Sequence, residues 1–374
     1  MSMKGTLKNR YLSQNEKHEI IKHPFPVESI MGQLGFGNIE QRYATLEQKK
    51  ELLVQLDQLV PWQQFEQLLN QAHDKLRKSS AGRKPMAVML MFKLLILQKS
   101  YNISDERLEY QVNDRLSLMR FLDLDIYNKV LDAMTVWLFR EQMREQGLIE
   151  QFERYLRTHG YAAKSGQIID ATLIPVPKQC NSREENEQIK RGEQPATWAD
   201  KLQQQAQKDT DPDRRRSMAS EFRLQRPHQH RCGVRLYPML CHHRAITDAS
   251  VHDSQMLGKI LDGDHPDDGE CGDSAYRSDA AEAALRLLKF ESHIHERAYC
   301  NHPLGDQQKD KNRERSTIHS RIEHLFGRWV MTMGDKRLRS IGLEHAKTHL
   351  RLTNLTSNLK RFVFWQVKSV SMAE

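Results

Sequence analysis

A chain of 374 residues has room for two or three domains with cores of their own. Its formal net charge of +8 and isoelectric point near 9.1 favour a polyanionic partner, although charge alone leaves a merely basic soluble protein open. Five scattered cysteines (Cys180, Cys232, Cys241, Cys271, Cys300), no apolar run near the roughly 20 residues of a membrane helix, and an amino terminus without a signal-peptide core exclude a disulfide scaffold and a membrane protein, and predict a cytoplasmic chain.

Residues 1–45 are polar and carry Gly32, Gly35 and Gly37, which predicts a loosely ordered arm. From residue 46 to 160 the pattern is helical. Leu52, Leu53, Leu56, Leu59 and Val60 recur at three- and four-residue spacings, and Phe65, Leu68 and Leu69 continue a face after Pro61. A basic linker from Lys75 to Pro85 follows, in which Arg83 and Lys84 are candidates for DNA contact. The stretch MAVMLMFKLLILQKSY is apolar nearly all round and predicts a buried helix. Ser104 is placed to cap the next helix across the short turn Tyr101-Asn102-Ile103. Two helices so joined fit a helix-turn-helix DNA reader and an ordinary bundle alike. One long amphipathic helix is expected over 132–158.

The character changes at Ser165. Gln167-Ile-Ile-Asp170 is a short β-type run ending in a carboxylate, and Thr172-Leu-Ile-Pro-Val continues extended. Residues 181–216 are almost purely polar and predict an exposed insertion. Strand-like and helical runs then alternate: Ala245-Ile-Thr, a helix from Ser254 to Leu261, Gly272-Asp-Ser-Ala-Tyr276, a helix from Asp279 to Leu288, a strand about His293-Ile-His, and a helix from about 313 to 334. That order indicates an α/β domain over 161–345, with a helical tail over 346–374.

Three acids stand where acid is hard to explain structurally. Asp170 closes an apolar strand run. Asp273 sits just past a second strand candidate. Glu323 falls at the edge of a helix face built from Ile318, Ile322, Leu325, Phe326 and Trp329. Phosphoryl transfer on DNA uses such carboxylates to hold divalent cations, because hard cations prefer carboxylate oxygen. Taken singly, an Asp after a strand is more often a turn or cap residue.

The surroundings of these acids resemble a known family. Ile168-Ile-Asp170-Ala-Thr, Thr247-Asp-Ala-Ser-Val-His252-Asp253-Ser, Asp273-Ser-Ala-Tyr276-Arg277 and Arg321-Ile-Glu323-His-Leu-Phe326 are similar to motifs of the DDE transposases of the insertion-sequence-five family, in the same order from Trp62 to Phe364. The resemblance implies an RNase H-like catalytic fold, a mixed sheet flanked by helices, behind an all-helical DNA-binding domain over 46–160. It implies Asp170, Asp273 and Glu323 as catalytic ligands of Mg²⁺ or Mn²⁺, with Tyr276, Arg277 and Arg321 near the site or on DNA phosphates. Lys336, Arg337, Arg339, Lys347 and Arg351 would follow the DNA backbone, or form a solvated helix face. The implied activity is metal-dependent cleavage of double-stranded DNA at inverted repeats and strand transfer into target DNA, by a homodimer associated with the nucleoid. His252 and Asp253 read better as a helix cap. The chain departs from the family at His319, where an arginine is common, in the glycine-rich run Asp268-Gly-Glu-Cys-Gly272, and at Val130-Leu-Asp132, where a proline usually precedes the aspartate.

Asp211–Arg244 does not fit this frame. It holds eight Arg, no Lys, four His and two Cys against three acids, a net +5 of the chain's +8. It lacks two-residue alternation, and Pro227 and Pro238 interrupt a stretch that should supply strands two and three. An arginine-rich nucleic-acid insertion is one reading, and a metal site about His228, His230, Cys232, Cys241 and His243 is another. The favoured reading is a shifted reading frame. With suitable codons, 222–243 read one nucleotide later becomes FGYKDLTNIDAEYGFIRCYAI, which alternates like a strand pair. A scrambled second strand would leave Asp170's strand without a hydrogen-bonded neighbour and impair catalysis, giving a DNA-binding remnant as the alternative function. The gene decides the frame question. Single-base shifts should restore an open, alternating frame, and the repaired chain should excise DNA where the present one does not; full activity of the present chain refutes the idea.

Overall fold

The computed structural model describes residues 37–49, 51–71, 87–128, 130–156, 167–175, 177, 181–195, 198, 223–231, 241–243, 255, 257–260, 270–299, 302–334 and 338–373. The chain divides into two units between Thr45 and Leu46, and the second holds the sheet and all but the first of the helices. Of the arm expected over 1–45, Gly37 onward belongs to a helix (α1, Gly37–Gln48), and the rest lies outside the described residues.

Seven helices follow: α2 (Leu52–Leu59), α3 (Trp62–Asn70), α4 (Val88–Tyr101), α5 (Asp105–Asp114), α6 (Leu116–Phe121), α7 (Ala133–Glu145) and α8 (Leu148–Leu156). The all-round apolar stretch forms α4, buried without interruption from Met91 to Ser100. Trp62, Phe65, Phe92 and Phe152 pack edge to face around it, except that Phe92 and Phe152 stack at 4.8 Å. Lys93, on the same helix, is buried because Asp57 Oδ1 at 2.9 Å and Asp123 Oδ2 at 2.8 Å take its ammonium. α4 ends at Asn102, which adopts the left-handed conformation that asparagine tolerates (φ 51°). Ser104 stands at the cap position of α5, but its hydroxyl makes no cap bond; Asp105 instead joins Gln98 and Arg140. The single helix expected over 132–158 is two, α7 and α8. Gly147 at φ 62° turns the chain between them, a conformation that costs glycine little.

A mixed sheet of order β3-β2-β1-β4-β5 comes next, from β1 (Gln167–Pro175), β2 (Arg223–Arg231), β3 (Cys241–His243), β4 (Glu270–Gly272) and β5 (Ser292–Ile294). β1 pairs antiparallel with β2 over nine residues and parallel with β4 over three. The expectation that β1 lacks a neighbour is therefore overturned, and with it the physical ground for impaired catalysis. Pro227 is tolerated because β3 covers only His228–His230, so at 227 the far side of β2 carries no ladder. Residues 211–222 and 232–240 lie outside the described residues, as do the side chains of β2 and β3. The insertion at 181–216 is not wholly exposed: α9 (Arg183–Lys190) starts with a capping box of Ser182 and Glu185, and buried Trp198 donates from Nε1 to Glu185 Oε1 at 2.7 Å. Residues 201–216 are outside the described set. Next come α10 (Leu257–Ile260), α11 (Asp279–Leu287) and α12 (Asp306–Thr332).

The last helix, α13 (Leu343–Ala373), takes in the stretch expected as a helical tail over 346–374 and is part of the core. Residues 352–359 are buried all round, and Leu352, Leu355, Leu359 and Val363 belong to the same apolar core as α2–α8. Its polar residues survive burial by bonding within the chain: Thr356 Oγ1 donates to Leu352 O at 2.8 Å, and Asn354 Nδ2 to Glu153 Oε1 at 3.0 Å. The helix also packs near the end of β1, where Leu338, Ala346 and Leu350 meet Ile174. Lys347 pairs with Glu344 and Arg351 with Glu150, so both expected DNA cations already have acids on them. Leu355→Ala should destabilise the fold by about 2–5 kcal/mol in denaturant titration, and removal of 346–374 should abolish the cooperative transition rather than leave an intact two-domain protein.

Candidate metal centre

Strand alternation builds the site. Ile168 and Asp170 are two residues apart on β1 and so share a face. Ile168 is fully buried against Ile322, Phe326 and Trp329 of α12 and Met333 just past it. Asp170 is thereby directed to the same helix, one turn before that apolar patch. The buried stripe of α12 continues backward at a three-residue step from Ile322 to His319, and Glu323 follows His319 by four residues, one turn on.

Ligand-type atoms of Asp170, His319 and Glu323 all lie within 4.8 Å of one another. Asp170 is 9 % exposed and Glu323 is exposed, so the group runs from the interior to the surface. His319 Nε2 is 3.9 Å from Asp170 Oδ2, beyond hydrogen-bond range, and among the described residues this buried nitrogen has no hydrogen-bond partner. Burial pushes the His319 imidazole below its ordinary 6.5; His295 adds to the effect, and Asp273 and Glu323 oppose it. Two carboxylates converging with a neutral, unpartnered imidazole nitrogen fit a divalent cation.

Asp273 reaches the site by register. β4 runs parallel to β1 with Ile169 opposite Gly272, so the next residue on each chain is Asp170 on one and Asp273 on the other. Asp273 lies outside the cluster of three, exposed, with Oδ1 accepting from Ser274 N–H at 2.6 Å. Its charge still reaches His319. His295, which the sequence did not single out, fixes the approach: its backbone N–H and Nδ1 both donate to Gly272 O at 3.0 Å, and Nε2 lies 3.0 Å from Ser316 Oγ on α12. Its ring meets that of His319 edge to face at 5.7 Å.

The remaining candidates divide. Arg321 is exposed on α12 beside Glu323, and Arg339 is exposed. Tyr276 is buried with Leu257, Ala281, Leu285, Phe290 and Ile294, so the expected DNA contact is core. Arg277 is taken up inside the protein, by Glu296 at 3.2 Å, Glu282 at 3.8 Å and Ile294 O at 3.1 Å; those acids come from later segments that spacing does not connect to it. Arg83, Lys84, Lys336, Arg337, His252 and Asp253 lie outside the described residues.

Asp170→Asn and Glu323→Gln should each weaken Mn²⁺ binding about tenfold or more by calorimetry, with His319→Gln having the smaller effect. Because His319 is neutral near pH 7, affinity should be level above that pH and fall as acid protonates the imidazole below its ordinary range. His319→Gln should flatten this fall.

Two family models match the chain. One, described as Transposase domain (DUF772), matches residues 41–142. The other, described as Transposase DDE domain, matches residues 161–359 and includes all three candidate carboxylates. No solved structure matches the chain. Among the described residues no helix is long and apolar enough to cross a membrane.

Proposed function

The chain belongs to the DDE transposases, a polynucleotidyl transferase and endonuclease family that acts in DNA transposition, and on that premise we propose that Asp170, Asp273 and Glu323 are its catalytic carboxylates. The observation that carries this reading is the parallel register of β1 and β4, which brings Asp273, just past β4, level with Asp170, whose ligand atom lies within 4.8 Å of that of Glu323 on α12. The kinship with the insertion-sequence-five family and the RNase H-like arrangement rest on the same motifs, with residues 46–160 as the helical DNA-binding domain and 161–345 as the catalytic one.

Each side chain has a task that follows from its surroundings. Asp170, packed beside Ile168 and α12, offers a carboxylate fixed in position. Asp273 commits one oxygen to Ser274 N–H and presents the other outward. Glu323, at the exposed edge of α12, closes the site from above. Divalent cations, Mg²⁺ or Mn²⁺, supply the charge that stabilises the attacking and leaving oxygens of an in-line displacement. A nitrogen donor at His319 tilts that choice toward Mn²⁺, since Mg²⁺ prefers oxygen ligands. Arg321, exposed near Glu323, is suited to a phosphate of the substrate.

The reaction these residues serve is attack of water on a phosphodiester at an inverted repeat, which breaks the P–O3′ bond and frees a 3′-hydroxyl. That hydroxyl then attacks a phosphodiester of target DNA, forming a new P–O bond as the target's own P–O3′ bond breaks and its 3′-oxygen leaves as a hydroxyl, with a homodimer holding the two ends. Nicking of a labelled transposon end in Mn²⁺ or Mg²⁺ tests the proposal. Asp273→Ala should lose nicking by at least a hundredfold while keeping DNA binding. If the unaltered chain binds DNA and never nicks it with either metal, the chain is a DNA-binding remnant and the catalytic reading fails.

A further inference from the structure

Beyond the carboxylates, positive charge gathers where α12, α13 and the end of α4 meet. Two contacts define that junction. A Cβ at Gly334, just past α12, would collide with the side chain of Asn102, and Lys360 Nζ on α13 donates to Ser100 O at 3.3 Å. Lys360 thus sits at the carbonyl end of α4, which favours a cation. Beside it, the Arg361 guanidinium lies 5.4 Å from the ring centres of both Phe364 and Trp365, and Lys368 Nζ is 5.2 Å from Trp365. Arg328, exposed on α12, is near enough for its charge to act on both Lys360 and Arg361.

Among the described residues no acid pairs with this charge. Among the described residues none comes within 4.0 Å of Arg328, Lys360 or Arg361 in an ion pair, and the buried Arg361 Nε has no hydrogen-bond partner. The contrast with Arg277, Arg315 and Arg351, each set on a glutamate, is sharp. Burial, then repulsion from Arg328, pushes Lys360 down to about 8 and lowers Arg361. Like charges held together at a cost to the fold need an anion from outside. Arg328 follows Glu323 by five residues on one helix, which sets it roughly 7.5 Å farther along the axis and about 140° round it, on a separate face from the carboxylates.

We propose that Arg328, Lys360 and Arg361 form a phosphate-binding patch that grips the DNA backbone. The patch rests on the reading of this chain as one that acts on DNA, and the test separates the two. Binding of the full chain to a fluorescent duplex of arbitrary sequence is followed by anisotropy across a salt series, with Ca²⁺ in place of the catalytic metal. Arg328→Gln and Arg361→Gln should each weaken binding by about tenfold and lower the slope of log affinity against log salt by about one. Arg328→Lys should retain most of both. Arg328→Gln should leave the melting temperature unchanged or raise it, because repulsion is relieved; a purely structural role would lower it. Wild-type affinity and slope in the double variant overturn the patch, as does weakened binding that merely tracks a lost melting temperature or an unaltered chain that does not bind the duplex. Nicking by the Asp170→Asn chain bears on the catalytic reading alone: persistence of nicking overturns that reading and leaves the patch standing.

Discussion

The two-residue repeat of β1 is the constraint on which the site depends. Because alternate side chains share a face, seating Ile168 among Ile322, Phe326 and Trp329 also decides where the Asp170 carboxylate must go. The apolar contact is the source of the precision: an isolated carboxylate has no preference among orientations, whereas a buried isoleucine has one place it fits. Register extends the same control sideways. With Ile169 opposite Gly272, a short strand suffices to bring a second acid level with the first. A slip by one residue would turn Asp170 to the opposite face and separate it from α12 altogether.

The second organising element is α13. It supplies leucines to the helical core of α2–α8 and, through Ala346 and Leu350, packs on Ile174 at the end of β1. The helical region and the sheet are thus two parts of one packed body, joined by a helix that is polar by composition and buried by position. Burial of its threonines and asparagines costs little because most of their hydroxyls and amides bond to carbonyls a turn earlier or to glutamates of α8.

Much of this was legible where apolar pattern and residue chemistry agree. The all-round apolar run of α4 and the stripe of α12 could each be read from spacing, whereas the acids at 170 and 323 were singled out by the resemblance of their surroundings to a known family. The first turns of α12, from Asp306, could not, because they stand in solvent and carry no apolar stripe to mark them. β4 holds despite the poor strand formers Glu-Cys-Gly because it is flanked on both sides by parallel neighbours. Arg277 and Tyr276 looked like substrate contacts since nothing local reveals that Glu282 and Glu296 neutralise the one and a cluster about α11 encloses the other. His319 stood out as a departure from the family pattern; that its nitrogen points at Asp170 depends on the packing of α12 against β1, which no local spacing encodes.

The place of α13 in the core also sets an order of events during synthesis. The contact between Lys360 and Ser100 joins residues 260 apart in the chain. At typical rates of about 5–20 residues per second, α4 is made roughly 13 to 50 seconds before the helix that covers it. Until then the side of α4 that this helix covers stands exposed in the nascent chain, and the carboxylate of β1 has no finished scaffold behind it. A candidate metal centre assembled this way matures only once its last helix has been made, so an interrupted product carries the acids without the means to align them.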